Sequence, residues 1–299
     1  MPVLFIGHGS PMNAIEDSEF SRAWAEAARS LPEPQAILCV SAHWETDGTH
    51  VTAMEQPKTI HDFYGFPPAL FEKNYPAPGS PGLARMTQEM LHESGVELDV
   101  DWGLDHGAWA VLCRMFPKAD IPVIQLSLDQ RKEPAFHYEL GRELRGLRKK
   151  GVLIIGSGNM VHNLREMAWE DTAYDWTLEF DARMKDLILS GDHKAIIHYS
   201  KLGRSARLAV PTPEHYLPLH GPLGCPLGNP KVSGLSIRPW LRGSALIRRA
   251  CWCGSRVHCC TGRPGAGRID PMGLGIVLLG PVVFCPATTA VLDGQSRSF

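Results

Sequence analysis

Four histidines lie at the ends of short apolar runs, beside glycine, serine or proline residues that form turns. They are His8 in VLFIGHGSPMN, His43 in AILCVSAHW, His162 in VLIIGSGNMVHN and His215 in PTPEHYLP. Neutral imidazole is the commonest protein ligand for zinc and for non-haem iron. One such histidine is more often a hydrogen-bonded loop residue, but four in the same context predict a metal site.

Three of these histidines, His8, His43 and His162, follow segments with the length and composition of buried strands. Each segment is apolar, rich in β-branched residues and closed by glycine or serine, which is typical of a strand covered on both faces of a parallel sheet. Because ligands of such sheets bind at the carboxyl ends of the strands, we expect the three side chains to converge on one crevice. The three segments are residues 3–6, 36–41 and 152–157.

Strand and helix patterns alternate through residues 1–220, which predicts a single α/β domain with a mostly parallel central sheet flanked by helices. Ser80 and Pro81 mark one helix start, and Gly151 follows the end of an amphipathic helix. The metal site is expected at the carboxyl ends of the strands. The predicted helices cover residues 18–29, 80–94, 107–116, 135–150 and 176–189, with a short one over 213–219, and a further strand covers 121–126.

The charge and the apolar content exclude some classes of protein. The chain of 299 residues has a formal net charge of −2, which argues against a nucleic-acid binder because such a protein needs a basic face. No apolar run approaches the roughly 20 residues of a membrane span. The start MPVLFIGHGS also lacks the basic region of a signal peptide. We therefore expect a cytoplasmic protein without a nucleic-acid or membrane partner.

Residues 221–299 differ in composition from the rest of the chain. They contain nine basic residues against two acidic ones and six of the eight cysteines, whereas residues 1–220 contain 21 basic and 30 acidic residues. Apart from residues 273–284, they lack the periodicity of a helix or a strand. Out-of-frame translation of a GC-rich gene would produce such a composition. We therefore predict a folded domain over residues 1–220 and a poorly ordered basic tail, rich in Cys, Gly and Pro, over 221–299.

A metal-binding knuckle is the alternative interpretation of the tail. Its spacing does not match the CxxC pairs of structural zinc sites, so we favour it less. A disulfide module is less favoured still in a chain without a visible secretory signal. The knuckle would use Cys251, Cys253, His258, Cys259 and Cys260.

Further polar residues are candidates for the same site. The segment TIHDFYGFP suits an aromatic substrate, although a surface loop with a hydrophobic anchor explains it equally well. His106 precedes a helix and is a candidate proton shuttle or capping residue. Asn159 and Asn163 are candidates to orient the His162 ring. Glu214 offers an oxygen ligand beside the histidine that follows it. The polar and aromatic residues of TIHDFYGFP are His61, Asp62, Phe63, Tyr64 and Phe66.

Seven motifs occur in an order that resembles the class III extradiol ring-cleavage dioxygenases of the LigB-like superfamily, and most of all their DOPA 4,5-dioxygenase branch. The motifs are GHGSPMN, SAHW, TIHDFYGFP, YPAPGSP, DHGAW, SGNMVHN and PTPEHYLPL, spanning about residues 2–219. The resemblance implies that residues 1–220 are the catalytic domain of an extradiol dioxygenase. Such an enzyme inserts both atoms of O2 into a small, DOPA-like catechol.

The resemblance also implies roles for individual residues. The implied metal ligands are His8, His43 and His215. His162 would be a fourth ligand or the acid/base residue, and His106 would contact the substrate or dioxygen. More distant members of the superfamily use a carboxylate as the third ligand, which keeps Glu214 as a lesser candidate.

The resemblance implies non-haem Fe(II) for turnover and Zn²⁺ in the purified protein, because zinc has no redox states with which to activate dioxygen. Two other functions stay open at this point. One is a zinc hydrolase that uses the same histidines to lower the pKa of bound water, and the other is a non-catalytic binding protein of the same fold. After Leu219 the chain departs from the family pattern, which continues there with closing strands. We therefore predict a metal site that is geometrically intact but weakly supported.

Overall fold

The computed structural model describes residues 1–166 and 173–225, together with the backbone of 276–279. The strands are β1 (Val3–Gly7), β2 (Ala36–Thr46), β3 (His50–Thr52), β4 (Glu97–Asp99), β5 (Val123–Asp129), β6 (Val152–Gly158) and β7 (Ile276–Leu279). They form one sheet in the order β4-β3-β5-β2-β6-β1-β7. Only the β1–β7 and β3–β5 pairs are antiparallel. The predicted α/β domain with a mostly parallel central sheet is confirmed.

Helices cover both faces of this sheet. They are α1 (Glu19–Arg29), α2 (Pro68–Phe71), α3 (Pro81–Met90), α4 (His106–Met115), α5 (Pro134–Lys149), α6 (Asp175–Ser190), α7 (His193–Ile197), α8 (Arg204–Ala209) and α9 (His220–Gly224). Successive residues of a strand face opposite sides. On β2, Ile37 joins a buried cluster with Trp24 of α1 and Trp109 of α4, whereas Leu38 joins one with Leu144 of α5. The continuous apolar run of β2 therefore reflects burial on both faces.

Two of the predicted helix starts, those at Ser18 and Ser80, are confirmed by capping bonds. The Ser18 hydroxyl accepts the Ser21 N–H at the start of α1, and the Ser80 hydroxyl accepts the Leu83 N–H at the start of α3. The α3 segment ends at Met90 and continues as a short 3-10 turn, which Gly95 terminates at φ 65°. The short helix predicted over residues 213–219 is only a 3-10 turn at Leu217–Leu219.

Strand β2 is longer than its apolar run predicts. Its pairing with β6 ends at Ser41, and its pairing with β5 shifts register between Val40 and Glu45. His43 therefore lies in an irregular stretch inside the strand, not after its end. Such irregularities change the direction in which side chains point, and they are frequent beside active sites. The strands β3 and β4 were missed because three residues are too few to show periodicity.

The described chain continues past residue 220 into α9, which packs against α5. A side chain at Gly141 of α5 would overlap the Gly221 carbonyl, and a side chain at Gly224 of α9 would overlap the Tyr138 carbonyl. The two glycines therefore permit the close approach of these helices. Beyond Cys225, only the β7 backbone is described, paired with β1. The rest of the predicted disordered tail and its alternative cysteine knuckle lie outside the described residues. Within the described part, no helix is long and apolar enough to span a membrane.

Candidate metal centre

His8, His43 and His215 come together although they lie far apart in sequence. Each offers one ring nitrogen, and these nitrogens all lie within 4.8 Å of one another. His8 directly follows β1, His43 lies in the irregular part of β2, and His215 precedes the turn Leu217–Leu219. The Nε2 atoms of His8 and His43 are 3.1 Å apart. We call these three residues the histidine triad.

The end of strand β6 holds His215 in place. The backbone N–H of Asn159 donates to the His215 carbonyl at 2.7 Å. A side chain at Gly158 would overlap that carbonyl, and one at Gly156 would overlap the Pro218 carbonyl. The two glycines therefore let the 213–219 segment lie directly against the sheet.

Each triad histidine turns its Nδ1 atom toward an oxygen of a neighbouring side chain. His8 Nδ1 lies 3.0 Å from Ser157 Oγ. His43 Nδ1 faces Asp62 Oδ2 at 3.5 Å, and His215 Nδ1 lies 3.1 Å from Glu214 Oε1. The Nε2 atoms are therefore left for the interior of the triad. Outer partners of this kind fix the ring orientation of histidines that bind metals.

The electrostatics of the triad favour neutral imidazole. Burial lowers the pKa of His8 and of His43 well below the ordinary value, and the neighbouring histidines lower both further. Burial also lowers the pKa of His215 to about 4, although Glu214 opposes this shift. All three rings are therefore uncharged at neutral pH. Neutral imidazole is the form that binds metals.

His106 stands beside the triad at the first position of α4. Its ring centroid lies 3.9 Å from that of His43. Its Nδ1–H donates to Asp62 Oδ2 at 2.8 Å, and its backbone N–H donates to Asp62 Oδ1 at 2.8 Å. Burial raises the pKa of Asp62, but the hydrogen bonds and charge of His106 outweigh burial and lower it overall. Asp62 is therefore a carboxylate that holds His106 and leaves its Nε2 free.

His162 stands on the other side, against His215. The two rings are stacked, with centroids 3.4 Å apart and planes inclined by 14°. His162 Nδ1 faces Glu214 Oε1 at 3.6 Å. Contacts with His162 and His215 lower the pKa of Glu214 although burial opposes the shift. Glu214 thus lies between two histidines as an outer partner of both.

A buried polar network supports the turn that carries His106. Asp105 is fully buried and accepts hydrogen bonds from the Ser41 hydroxyl at 2.6 Å and the Gln125 amide at 2.7 Å. Asp105 also caps α4 through the Ala108 N–H at 3.2 Å. Burial raises the pKa of this carboxyl, and the charge of Asp62 raises it further. The network connects β2, β5 and α4 behind the site.

The TIHDFYGFP segment brings aromatic groups to the site. The Phe63 ring meets the His106 ring edge to face at 5.6 Å, while Tyr64 is 91% exposed. His61 Nε2 lies 2.9 Å from the Lys73 carbonyl, so this ring makes a hydrogen bond to the backbone of a neighbouring segment. The segment therefore contributes both a hydrophobic anchor and a side wall beside the triad.

The two residues predicted to orient the His162 ring, Asn159 and Asn163, make their hydrogen bonds elsewhere. The Asn159 side chain accepts the Gly9 N–H at 3.2 Å, and the Asn163 amide donates to the Leu208 carbonyl at 2.8 Å. Glu214 faces the His162 ring instead. The outer roles of Asp62 and Ser157 were not predicted from the sequence. An acid directly after a histidine in HDFYG was the available signal for Asp62, and a serine ending an apolar strand was the signal for Ser157.

The donor set of the triad fits a transition metal. Ligand nitrogens bound at about 2.0–2.1 Å to one ion lie roughly 3 Å from each other, in keeping with the 3.1 Å between His8 and His43. Three imidazoles suit zinc and iron, and they suit calcium or magnesium poorly. His162 and Glu214 form a separate group with His215.

Comparisons with known proteins point to one family. A family model described as the catalytic LigB subunit of aromatic ring-opening dioxygenase matches residues 2–231. The 4,5-DOPA dioxygenase extradiol of Escherichia coli (strain K12) is 50% identical over 230 residues, or 75% of this chain and 84% of that protein. The protein of the same name from Beta vulgaris is 42% identical over 76% of this chain and 88% of its own length.

A solved structure shares the fold. The crystal structure of an uncharacterized protein from Escherichia coli K12 matches with a TM-score of 0.67 and 43% identity. The match covers 78% of this chain and 92% of that chain. The likeness therefore extends over most of the described domain.

Proposed function

Since the chain belongs to the LigB family of aromatic ring-opening dioxygenases, we propose that it opens the ring of a small, DOPA-like catechol at a metal held by His8, His43 and His215. Its family and its relatives make it an extradiol ring-opening dioxygenase, an oxidoreductase. The observation that carries the proposed site is the histidine triad, whose neutral rings all engage Nδ1 with an outer oxygen and leave Nε2 for an ion.

The proposed metal for turnover is non-haem Fe(II). When bound, iron supplies the electron transfer that activates dioxygen, which zinc cannot supply because it has no redox states. Zn²⁺ would occupy the same donor set in purified protein without supporting turnover. The remaining chemistry depends on groups of the chain that orient the catechol and move its protons.

Of the two roles predicted for His162, the geometry favours acid/base chemistry over metal binding. Its ring stacks on His215, and no nitrogen of His162 joins the close group formed by the triad. With Nδ1 facing Glu214, its Nε2 is the atom that would take a proton from a catechol hydroxyl and return it later. Imidazole suits this task because its ordinary pKa lies near physiological pH.

His106 is proposed to contact the substrate or dioxygen. Asp62 holds Nδ1 and the backbone N–H of His106, so its Nε2 has a defined direction. Phe63, packed on His106, would form an aromatic wall for the catechol ring. His106 and His162 flank different ligands, His43 and His215, so the substrate would meet a polar group on either side.

Anaerobic reconstitution tests the proposal. The purified protein is loaded with Fe(II), mixed with DOPA without oxygen, and then exposed to air while oxygen uptake and the yellow ring-opened product are followed. We expect equal amounts of oxygen consumed and product formed, and none with Zn²⁺. The variant His43→Ala should bind neither metal tightly and form no product.

The matched control for His43→Ala is His92→Ala, which removes an exposed histidine that pairs with Glu93 at the surface and should keep wild-type activity. Turnover of an ester or amide without oxygen would instead support a zinc hydrolase. A metal-free protein that still binds a partner would support a binding module of the same fold.

A further inference from the structure

The Ser157 hydroxyl is a buried polar group at the end of strand β6, whose other residues are apolar or glycine. The side chain is 1% exposed. Its oxygen lies 3.0 Å from His8 Nδ1 and 2.5 Å from the carbonyl oxygen of Gly107. No water is needed to satisfy it, because these two groups use its one proton and one of its lone pairs.

The position of the hydroxyl proton follows from its partners. The Gly107 carbonyl can only accept a hydrogen bond, so the proton of Ser157 is directed to that oxygen. The contact between Ser157 and His8 then requires the imidazole to donate from Nδ1. A neutral imidazole carries one N–H, so Nε2 of His8 keeps its lone pair. That Nε2 atom faces His43 Nε2 at 3.1 Å.

We propose that Ser157 is a positioning residue that holds His8 in the Nδ1–H tautomer and so presents the Nε2 lone pair to the metal. The inference rests on the proposed function, because it takes His8 to be a ligand. It assigns Ser157 a part in the metal centre without direct contact with the ion.

Ser157 differs in kind from the outer partners of the other ligands. Asp62 beside His43 and Glu214 beside His215 are carboxylates, which can only accept when ionised. A hydroxyl can donate or accept, so Ser157 alone would allow either tautomer of His8. The Gly107 carbonyl removes this ambiguity because it takes the hydroxyl proton.

The hydrogen bond from the Ser157 hydroxyl to the Gly107 carbonyl also joins the metal site to helix α4. Gly107 follows His106, so one hydroxyl connects the His8 ring to the backbone of the turn that carries His106. There is no room for a side chain at Gly107, since it would overlap the Ser41 hydroxyl and press on the His43 ring. The position of the Gly107 carbonyl relative to Ser157 is therefore closely constrained.

Metal affinity of apo protein tests the proposal without using turnover. Ser157→Val and Ser157→Thr add the same bulk and differ by the hydroxyl, and Ser157→Ala removes the hydroxyl without added bulk. We measure Zn²⁺ and Co²⁺ affinity by competition with a chromophoric chelator. The Ser157→Val and Ser157→Ala variants should bind both metals roughly 10- to 100-fold more weakly than wild type, because this is the usual effect of losing an outer partner. The Ser157→Thr variant, which keeps the hydroxyl, should bind them more tightly than Ser157→Val. Wild-type affinity in both Val and Ala would overturn the proposal.

Nitrogen NMR of the wild-type apo protein tests the tautomer directly and does not depend on any Ser157 variant folding. With ¹⁵N-labelled histidine, the His8 signals are assigned by their loss in His8→Gln. We expect a protonated Nδ1 and an unprotonated Nε2 near neutral pH. A proton on Nε2 of His8 would refute the inference.

His8→Ala separates this inference from the proposed function. If His8→Ala binds Zn²⁺ as tightly as wild type, the proposed triad is wrong. If His8→Ala abolishes binding while the Ser157 variants bind normally, the triad stands and the role of Ser157 is refuted.

Discussion

The rings of His162 and His215 are stacked 3.4 Å apart, and both turn Nδ1 toward the same oxygen of Glu214. Only His215 shares a close group of nitrogens with His8 and His43. Two neighbouring histidines with a common carboxylate are therefore placed for different tasks. In the proposed site, His215 would hold the ion and His162 would face the space beside it.

Replacing these two histidines should separate metal binding from turnover. His162→Ala should keep its iron and lose about 10²- to 10⁴-fold in kcat, the usual contribution of an acid/base group. His215→Ala should lose the metal itself. Iron content after desalting and kcat with a catechol measure the two effects. Loss of iron in His162→Ala would instead make His162 a fourth ligand.

Asp62→Asn should impair both turnover and metal affinity, because Asp62 is an outer partner of His106 and of the triad histidine His43. The amide cannot accept the His106 Nδ1–H as strongly as the carboxylate that now lies 2.8 Å away, so His106 loses its fixed orientation. We expect kcat to fall roughly 10- to 100-fold. Asp47→Asn is the control, because that exposed carboxylate pairs with Arg131 at the surface. Equal kcat values for the two variants would argue against a role for Asp62.

Gly158→Ala should lower both stability and metal affinity. The added methyl overlaps the His215 carbonyl, so either the strand or the ligand segment must move. We expect a loss of about 1–3 kcal/mol in the free energy of unfolding, as for other overpacked sites. Gly82→Ala is the matched change, since a side chain there meets no atom within 4 Å. That control should be neutral or stabilising by about 0.4–1 kcal/mol. Urea unfolding measures the change in stability, and Zn²⁺ titration measures the change in metal affinity.

Buried histidines away from the metal centre should make the apo protein sensitive to acid. Burial lowers the pKa of His137 to about 4 and that of His220 to about 3. Between these values and about 6.5, the unfolded chain binds protons that the folded chain does not. Stability is therefore full above pH 6.5 and falls as the pH decreases. Each group contributes a slope of about 1.4 kcal/mol per pH unit.

The pKa values of the triad histidines are also lowered, so these residues add to the acid sensitivity of the apo protein. The variant His220→Gln isolates the contribution of His220 from theirs. Urea unfolding of the apo protein from pH 7 to pH 5 should show a shallower decline for the variant than for wild type. Glutamine can still donate to the Leu217 carbonyl that His220 Nδ1 approaches at 3.2 Å. Parallel pH profiles for the two proteins would contradict the assignment.

Much of the fold was predictable because its signals are local. Apolar runs that end in glycine or serine marked β1, β2 and β6, and Ser80 followed by Pro81 marked the start of α3. The parallel arrangement then placed strand ends at one edge, which is why His8, His43 and His162 were expected to meet. The short strands β3 and β4 and the irregular end of β2 had no such local signal.

The sequence by itself determined which residue types reach the crevice, because strand patterns and turn residues act over a few positions. Only the tertiary structure decided which atom each histidine presents. His8 is oriented by Ser157, 149 positions away, and His106 by Asp62, 44 positions away. Such pairs depend on strand order, on the register shift in β2 and on the rotamers that packing allows. None of these features leaves a periodic pattern in the sequence. The direction of the Nε2 atoms is therefore set only when the sheet is assembled.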